Sequence, residues 1–219
     1  MTDWLLWQLA DSAFPSGGFA HSAGLEAAWQ LGEVDAASLG TFVNDAVTQA
    51  AHGALPFVSA GHGNPGELPA IDLRCDAYLR NPIGNRASRM QGRAWLGACE
   101  RAFQIPAVGA LGDVARAASL PRHYAPLFGA TLRLLDVDGD RARRLYLFGV
   151  CRGTLSAAVR LGIVGTNDAQ RLLAETASHL ERTIIRCSAM TIEDAAQSAP
   201  LADLWQSAHD RLYSRLFQS

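Results

Sequence analysis

Lysine is absent from the 219-residue chain, so all 19 basic side chains are arginines. They are nearly balanced by 21 acidic residues, and only Arg141, Arg143 and Arg144 form a short basic cluster, which we assign to a solvated helix start. This balance argues against a nucleic-acid partner. Without lysine, the chain also has no Walker phosphate-binding loop, which ends in Gly-Lys-Ser/Thr.

Cysteine is scarce and dispersed. Cys75, Cys99, Cys151 and Cys187 form no C-x-x-C pair, which disfavours a zinc ribbon or a thioredoxin-like site, and we expect reduced, half-buried thiols. The six histidines include no pair three or four residues apart, so no helix offers two histidine ligands. We therefore predict no metal site, no cofactor and no catalytic residue; a weak metal contact by His21 or Glu26 stays open as an alternative.

The chain also lacks a long hydrophobic run at its start. The segment MTDWLLWQLADSAF has no basic region before its apolar residues, and Gln8 and Asp11 interrupt them. It therefore matches neither a signal peptide nor a membrane span, and we expect a cytoplasmic protein with no membrane contact.

Period-two alternation is nearly absent, whereas apolar residues recur three and four apart along the chain. The pattern predicts an all-α fold, a single domain over 1–219 with about ten helices around an apolar central helix. In the first helix, Trp4, Leu5, Trp7 and Leu9 are predicted to mark buried faces. The predicted helices cover 3–13, 22–31, 36–51, 55–60, 71–80, 83–104, 109–119, 123–135, 143–161 and 167–188, followed by a C-terminal helix or tail, 201–219.

The predicted central helix, 143–161, is apolar nearly all round. Gly149 and Gly153 share one of its faces and each costs about 1 kcal/mol relative to alanine, so we expect a neighbouring helix to approach closely there. Gly92 and Gly97 are expected to act similarly. Arg152 is predicted to pair with a carboxylate, because an unpaired buried charge is too costly.

Asp138, Gly139 and Asp140 resemble the start of a calcium loop, but the remaining ligand positions of that loop are missing. An aspartate that caps the N-terminus of the following helix is the better interpretation.

The segment FPSGGFAHSAGLEAAW, residues 14–29, allows more than one interpretation. Its AHSAG portion approaches the nucleophile elbow G-x-S-x-G, which would make Ser22 a nucleophile beside His21. That motif needs a preceding strand and a surrounding sheet, neither of which the pattern predicts, so a hydrolase is the weakest alternative. The remaining interpretations are a tight joint between packed helices and a contact surface for a partner.

The chain closes with PLADLWQSAHDRLYSRLFQS, in which apolar residues form one helical stripe that we expect to dock on the protein's own core or on another protein. The stripe consists of Leu201, Leu204, Trp205, Ala208, Leu212 and Leu216.

These two ends carry a resemblance to a known family. LLWQLADSAFPSGGFAHSAGLEAA resembles the opening of the UreF family of urease accessory proteins, which reads D-S-x-x-P-x-G-G-F-x-H-S-x-G-L-E after a leucine-rich helix. HYAPLFGATLRLL, YLFGVCRGTLSAAVRLGIVG and the closing HDRLYSRLFQS resemble the family's middle and end. The likeness covers nearly the whole chain.

The resemblance implies an all-helical protein that forms homodimers and is not an enzyme. It also implies binding to a second accessory protein, UreD or UreH, recruitment of the GTPase UreG, and assistance in loading nickel into apo-urease. A generic helical homo-oligomeric adaptor outside urease maturation shares the same physical features and remains the alternative. The residues expected to face partners are Pro15, Gly17, Gly18, Phe19, His21, Ser22 and Glu26 in the opening segment and Tyr213, Arg215, Leu216 and Phe217 in the tail.

Overall fold

A computed structural model describes residues 3–218, and within that range the chain forms eleven α-helices and no strand. This confirms the predicted all-α fold. The helices are α1 Asp3–Ala10, α2 Leu25–Gln30, α3 Leu39–Gly53, α4 Leu55–Gly63, α5 Leu68–Tyr78, α6 Pro82–Phe103, α7 Pro106–Ala117, α8 Tyr124–Leu134, α9 Gly139–Arg160, α10 Thr166–Cys187 and α11 Pro200–Ala208.

Local sequence signals explain where several helices begin. Proline occupies one of the first positions of α4, α5, α6, α7 and α11, where its missing N–H costs nothing. The Asn81 side chain caps α6 by accepting hydrogen bonds from the N–H groups of Ile83 and Gly84. Asp138 caps α9 by accepting from the Arg141 N–H at 3.0 Å, which confirms the predicted aspartate cap.

The core is built around α8 and α9. All eight residues from Ala125 to Leu132 in α8 are buried. The helix lies tightly against α4, since a Cβ at Gly129 would lie 2.0 Å from the Val58 carbonyl oxygen. The longer α9 contacts α1, α2, α3, α4, α8 and α10, which confirms it as a central helix.

Two predictions about α9 are wrong. A Cβ added at Gly149 or Gly153 would meet no atom within 4 Å, so among residues 3–218 no helix approaches these glycines. Arg152 does not pair with a carboxylate in this part of the chain; it donates to the Ala10 carbonyl oxygen and lies over the Phe148 ring. The carbonyl at the C-terminal end of α1 can stabilise the guanidinium in place of a carboxylate, because that end of the helix carries partial negative charge.

The close approach that glycine permits occurs instead at Gly92. A Cβ there would lie 2.1 Å from the Arg122 carbonyl oxygen, so α6 could not pack against the start of α8 with any larger residue. At Gly97 the atoms nearest to an added Cβ belong to the Arg101 side chain of the same helix rather than to a neighbouring helix, so that prediction is wrong.

The two ends of the chain differ from their predicted patterns. Trp4 and Trp7 are 71% and 60% exposed and contact each other edge to face, whereas Leu9 is buried; the prediction was therefore wrong for both tryptophans. In the tail, α11 ends at Ala208 and a 3₁₀ turn, His209–Arg211, follows. The predicted continuous stripe is interrupted there, and Leu201 and Leu204 are exposed.

No helix in the described range is both long and apolar enough to cross a membrane. The basic cluster at the start of α9 is paired with acids, because Arg141 contacts Asp3 and Asp138, and Arg144 contacts Asp140 and Glu181.

Candidate partner-binding site

The opening segment is an irregular joint between α1 and α2. Gly17 and Gly24 have left-handed backbones, with φ of 77° and 89°, which glycine adopts without strain. Between them, Gly18–Ala20 forms one 3₁₀ turn. A Cβ on Gly17 would lie 2.9 Å from the Ala94 Cβ, so this joint also lies tightly on α6. The joint proposed from the sequence is therefore present.

The chain's tail lies directly on this joint. The Gln218 N–H donates to the Ala20 carbonyl oxygen at 2.8 Å, and the Gln30 side chain donates to the Ser214 carbonyl oxygen at 3.0 Å. Upstream, the backbone of α11 around Gln206 lies 3.1 Å from the position of a Gly24 Cβ. The opening and closing motifs, nearly 200 residues apart in sequence, therefore form one site.

Glu26 fastens the tail to the joint. The residue is 1% exposed, and its carboxylate accepts hydrogen bonds from the Leu216 N–H at 2.6 Å and the Phe217 N–H at 3.2 Å. His209, fully buried, contacts the same carboxylate through Nε2 at 3.1 Å. A buried carboxylate is stable only with such partners, so the side chain holds three points of the tail together.

Arg160, at the end of α9, forms a second fastening. Its guanidinium lies between two aromatic rings, 3.6 Å from the Phe19 centroid and 4.2 Å from the Phe217 centroid. It also donates to the Phe19 carbonyl oxygen. Guanidinium stacking on aromatic faces is favourable, so Arg160 joins one ring from each motif.

His21, which is half-buried, and Ser22 lie within the same junction. Burial, assisted by the charges of His209 and Arg86, lowers the pKa of His21 to about 4. Ser22 is buried. Within residues 3–218 no strand precedes Ser22, and the segment leads from a 3₁₀ turn into α2, so the strand–turn–helix context of a nucleophile elbow is missing.

The sequence-predicted residues differ in accessibility. Ser22, Glu26 and Phe217 are buried, and Gly17, Gly18 and His21 are partly covered. The residues that present side chains to solvent are Pro15, Phe19, Tyr213, Arg215 and Leu216. Beside them, a cleft of about 570 Å³ separates the joint from α9, where Gly149 and Gly153 form part of its wall.

Sequence reasoning did not identify Arg160, Arg86 or Asp210 as parts of this site. Asp210 links Arg86 on α6, at 3.0 Å, with Arg215 in the tail, at 3.3 Å. The available signal was weak: Arg160 is one of several arginines in α9, and nothing in its spacing indicates the two rings that it contacts.

No group of three His, Cys, Asp or Glu side chains in the described range is placed to hold a metal ion. All four cysteines are buried and free of disulfides. Burial raises the pKa of the Cys99 thiol to about 12 and that of Cys151 to about 11, which keeps both in the unreactive protonated form.

Comparison with known proteins shows that the chain is similar to urease accessory proteins. The UreF family model matches residues 33–177. Urease accessory protein F of Arabidopsis thaliana is 35% identical over 99% of this chain and 92% of its own length. Its counterpart in Oryza sativa subsp. indica is 34% identical over 98% of this chain and 84% of its own length. Urease accessory protein UreF of Trichodesmium erythraeum is 27% identical over 97% and 94%.

Proposed function

The chain belongs to the UreF family, and from this premise we propose that it is a scaffold in urease maturation that binds UreD/UreH and recruits the GTPase UreG for nickel insertion into apo-urease. Nickel is the cargo of that assembly, and this chain contributes surfaces rather than a bond-making centre. The observation that carries the proposal is the junction of the opening and closing motifs into one site with exposed aromatic, aliphatic and guanidinium groups.

The chemistry of these exposed side chains suits protein recognition. Tyrosine, phenylalanine and arginine are enriched at interfaces, and the two aromatic side chains supply large contact area with few rotatable bonds. Tyr213 is fully exposed and Phe19 is 69% exposed. The buried members of the motifs, Glu26 and Phe217, hold these anchors in place.

We further propose that the protein works in the cytoplasm as a homodimer and without nucleic acid. The cleft beside Gly149 and Gly153 supports dimer formation, because these half-buried small residues border open space that part of a second molecule can enter. The interior position of Ser22 and the missing strand before it in the described part of the chain favour the scaffold over the hydrolase alternative.

The direct test is co-purification of the chain with UreD/UreH, with nickel-dependent urease activation as a second readout. Replacing Tyr213 and Leu216 together by alanine should weaken the complex by about 2 kcal/mol or more, as for interface hot spots. The double variant Leu73→Ala/Ile185→Ala removes two exposed apolar side chains elsewhere and should bind like the wild type.

Unchanged affinity of the Tyr213/Leu216 variant would remove the tail surface from the proposal. A wild-type chain that binds neither UreD/UreH nor UreG, yet still self-associates, would favour the generic adaptor instead.

A further inference from the structure

A second concave surface lies next to the tail, on the first half of α6. Four arginines surround a cleft of about 380 Å³, whose remaining walls are Leu79, Pro82 and Asn85. We name this feature the arginine cleft and define it by Arg80, Arg86, Arg89 and Arg93. Arg86, Arg89 and Arg93 are three and four residues apart, so they lie on one face of the helix.

The positive charge of the arginine cleft is largely uncompensated. Among residues 3–218, Arg80, Arg89 and Arg93 form no ion pair within 4 Å, whereas Arg86 pairs with Asp210. Asp76, whose charge interacts with that of Arg89, already accepts hydrogen bonds from Asn85 and from His123. The whole chain has a net charge of only −2, so this cluster is a local excess of positive charge that a negatively charged ligand would neutralise.

Mutual repulsion among the guanidiniums supports this description. Burial lowers the pKa of Arg93, and the neighbouring charges of Arg122 and Arg89 lower it further. An incoming anion would relieve this repulsion, and the guanidinium fork is suited to bidentate contact with carboxylates.

We infer that the arginine cleft receives an acidic segment, with two or more carboxylate side chains, of the partner that docks on the tail. This inference rests on the proposed function, because it assigns charge to a partner whose binding the tail mediates. Arg86 connects the two surfaces: Asp210 binds it and also binds Arg215, so the cleft continues into the exposed part of the tail.

The dimensions favour a protein segment over a single small anion. From Arg86 to Arg93 the helix rises about 10 Å. Two carboxylate side chains a few residues apart in a peptide can contact both ends of a row of this length. One phosphate group would contact only part of such a row. Charges of this kind accelerate association and make it dependent on ionic strength.

The experiment measures affinity of the full chain for UreD/UreH at low and at high salt. The charge reversal Arg89→Glu/Arg93→Glu should weaken binding at least about tenfold at low salt and flatten the salt dependence. The conservative Arg89→Lys/Arg93→Lys variant should retain most of the affinity and most of its salt dependence, because the positive charge is preserved.

The matched control is Arg182→Glu/Arg186→Glu on α10, which changes net charge equally at two exposed arginines of another face. This control should retain the wild-type affinity, apart from a small change in affinity caused by the altered net charge. Circular dichroism checks that each variant is folded, and Arg89→Gln/Arg93→Gln replaces the reversal if the reversal does not fold.

Three results would overturn the inference. If the wild type binds but the cleft and control variants lose affinity equally, the arginine cleft has no specific role. If inorganic triphosphate binds the wild type, not the cleft variant, while complex formation is unchanged in that variant, the cleft serves a small phosphate instead. If the wild type does not bind UreD/UreH at all, the proposed function fails first and this inference fails with it.

Discussion

Glu26 and Arg160 are charged residues whose roles depend entirely on their neighbours. Glu26 would be costly inside the protein without the tail's N–H groups and His209, and Arg160 would be an ordinary surface cation without Phe19 and Phe217. Both residues lie on the main body of the fold and both contact the tail. The tail is therefore held by specific interactions rather than by apolar contact alone.

The lowered pKa of His21 leads to a prediction about pH. In the unfolded chain its pKa is near the ordinary 6.5, whereas in the folded protein it is about 4. The unfolded state therefore takes up a proton first as pH falls, so this contribution to stability is complete above 6.5 and is lost as pH approaches 4. Between pH 7.5 and 5 the loss should reach about 2 kcal/mol.

Urea unfolding across that pH range would measure this effect, with His21→Gln as the comparison. The variant should lose stability less steeply, since its side chain does not titrate. An identical pH dependence in both proteins would show that His21 is not the group responsible.

Single residues also show where sequence reasoning fails. Arg152 was expected to find a carboxylate, but the end of α1 supplies a carbonyl oxygen that meets the same electrostatic need. Phe217 and Glu26 were grouped with exposed neighbours because their motifs are contiguous, although both are buried. Contiguity in a motif indicates shared importance, whereas burial is decided by contacts between distant segments.

At the level of elements, the sequence predicted the long helices well because their apolar spacing, prolines and Asp138 cap are local signals. The helix predicted over 83–104 is observed as Pro82–Phe103, and that predicted over 167–188 as Thr166–Cys187. The ends were harder. Trp4 and Trp7 follow a helical pattern that has no core beneath it, and the tail leaves helical geometry at His209 so that its N–H groups can reach Glu26.

The glycines of α6 and α9 provide opposite predictions. Gly92→Ala should destabilise the protein by about 1–3 kcal/mol, because the new Cβ would overlap the Arg122 backbone and force α6 away from α8. Gly149→Ala should stabilise the protein by up to about 1 kcal/mol, because the added methyl group meets nothing within 4 Å and alanine favours the helix.

Urea unfolding of the two variants beside the wild type tests both predictions. The sign of the effect is decisive, since propensity alone would make both substitutions stabilising. A stabilised Gly92→Ala variant would contradict the close contact between α6 and the start of α8.

At the scale of the whole molecule, the fold joins its two ends. Neither motif forms the candidate site alone, since the joint supplies Phe19 and Glu26 while the tail supplies Tyr213, Arg215 and Leu216. From the sequence, both motifs could be singled out, but their adjacency could not, because it arises from the path of α11 across α2 and α6. Helices α3 to α10 contain most of the buried core, so we expect the body of the fold to remain folded without the tail.

Because Glu26 binds the tail, we predict that the effect of substituting Glu26 on stability depends on whether the tail is present. In the full chain, Glu26→Gln should lower the free energy of unfolding by about 2 kcal/mol, since hydrogen bonds to a charged acceptor are weakened. In a chain shortened by residues 200–219, the helical core should remain folded but less stable. Glu26 then lacks His209, Leu216 and Phe217 as partners, and the same substitution should be neutral or stabilising.

A double-mutant cycle of urea unfolding measurements would give this coupling directly, with circular dichroism reporting that the shortened chain keeps its helices. The exposed Glu33, changed to glutamine in both backgrounds, is the matched control and should show no coupling. Because distant, independent sites add within about 0.5 kcal/mol, a coupling above about 1 kcal/mol identifies Glu26 as the residue that fastens the tail. Equal losses in the two backgrounds would mean that Glu26 stabilises α2 alone, and that the exposed anchors of the tail are positioned by other contacts.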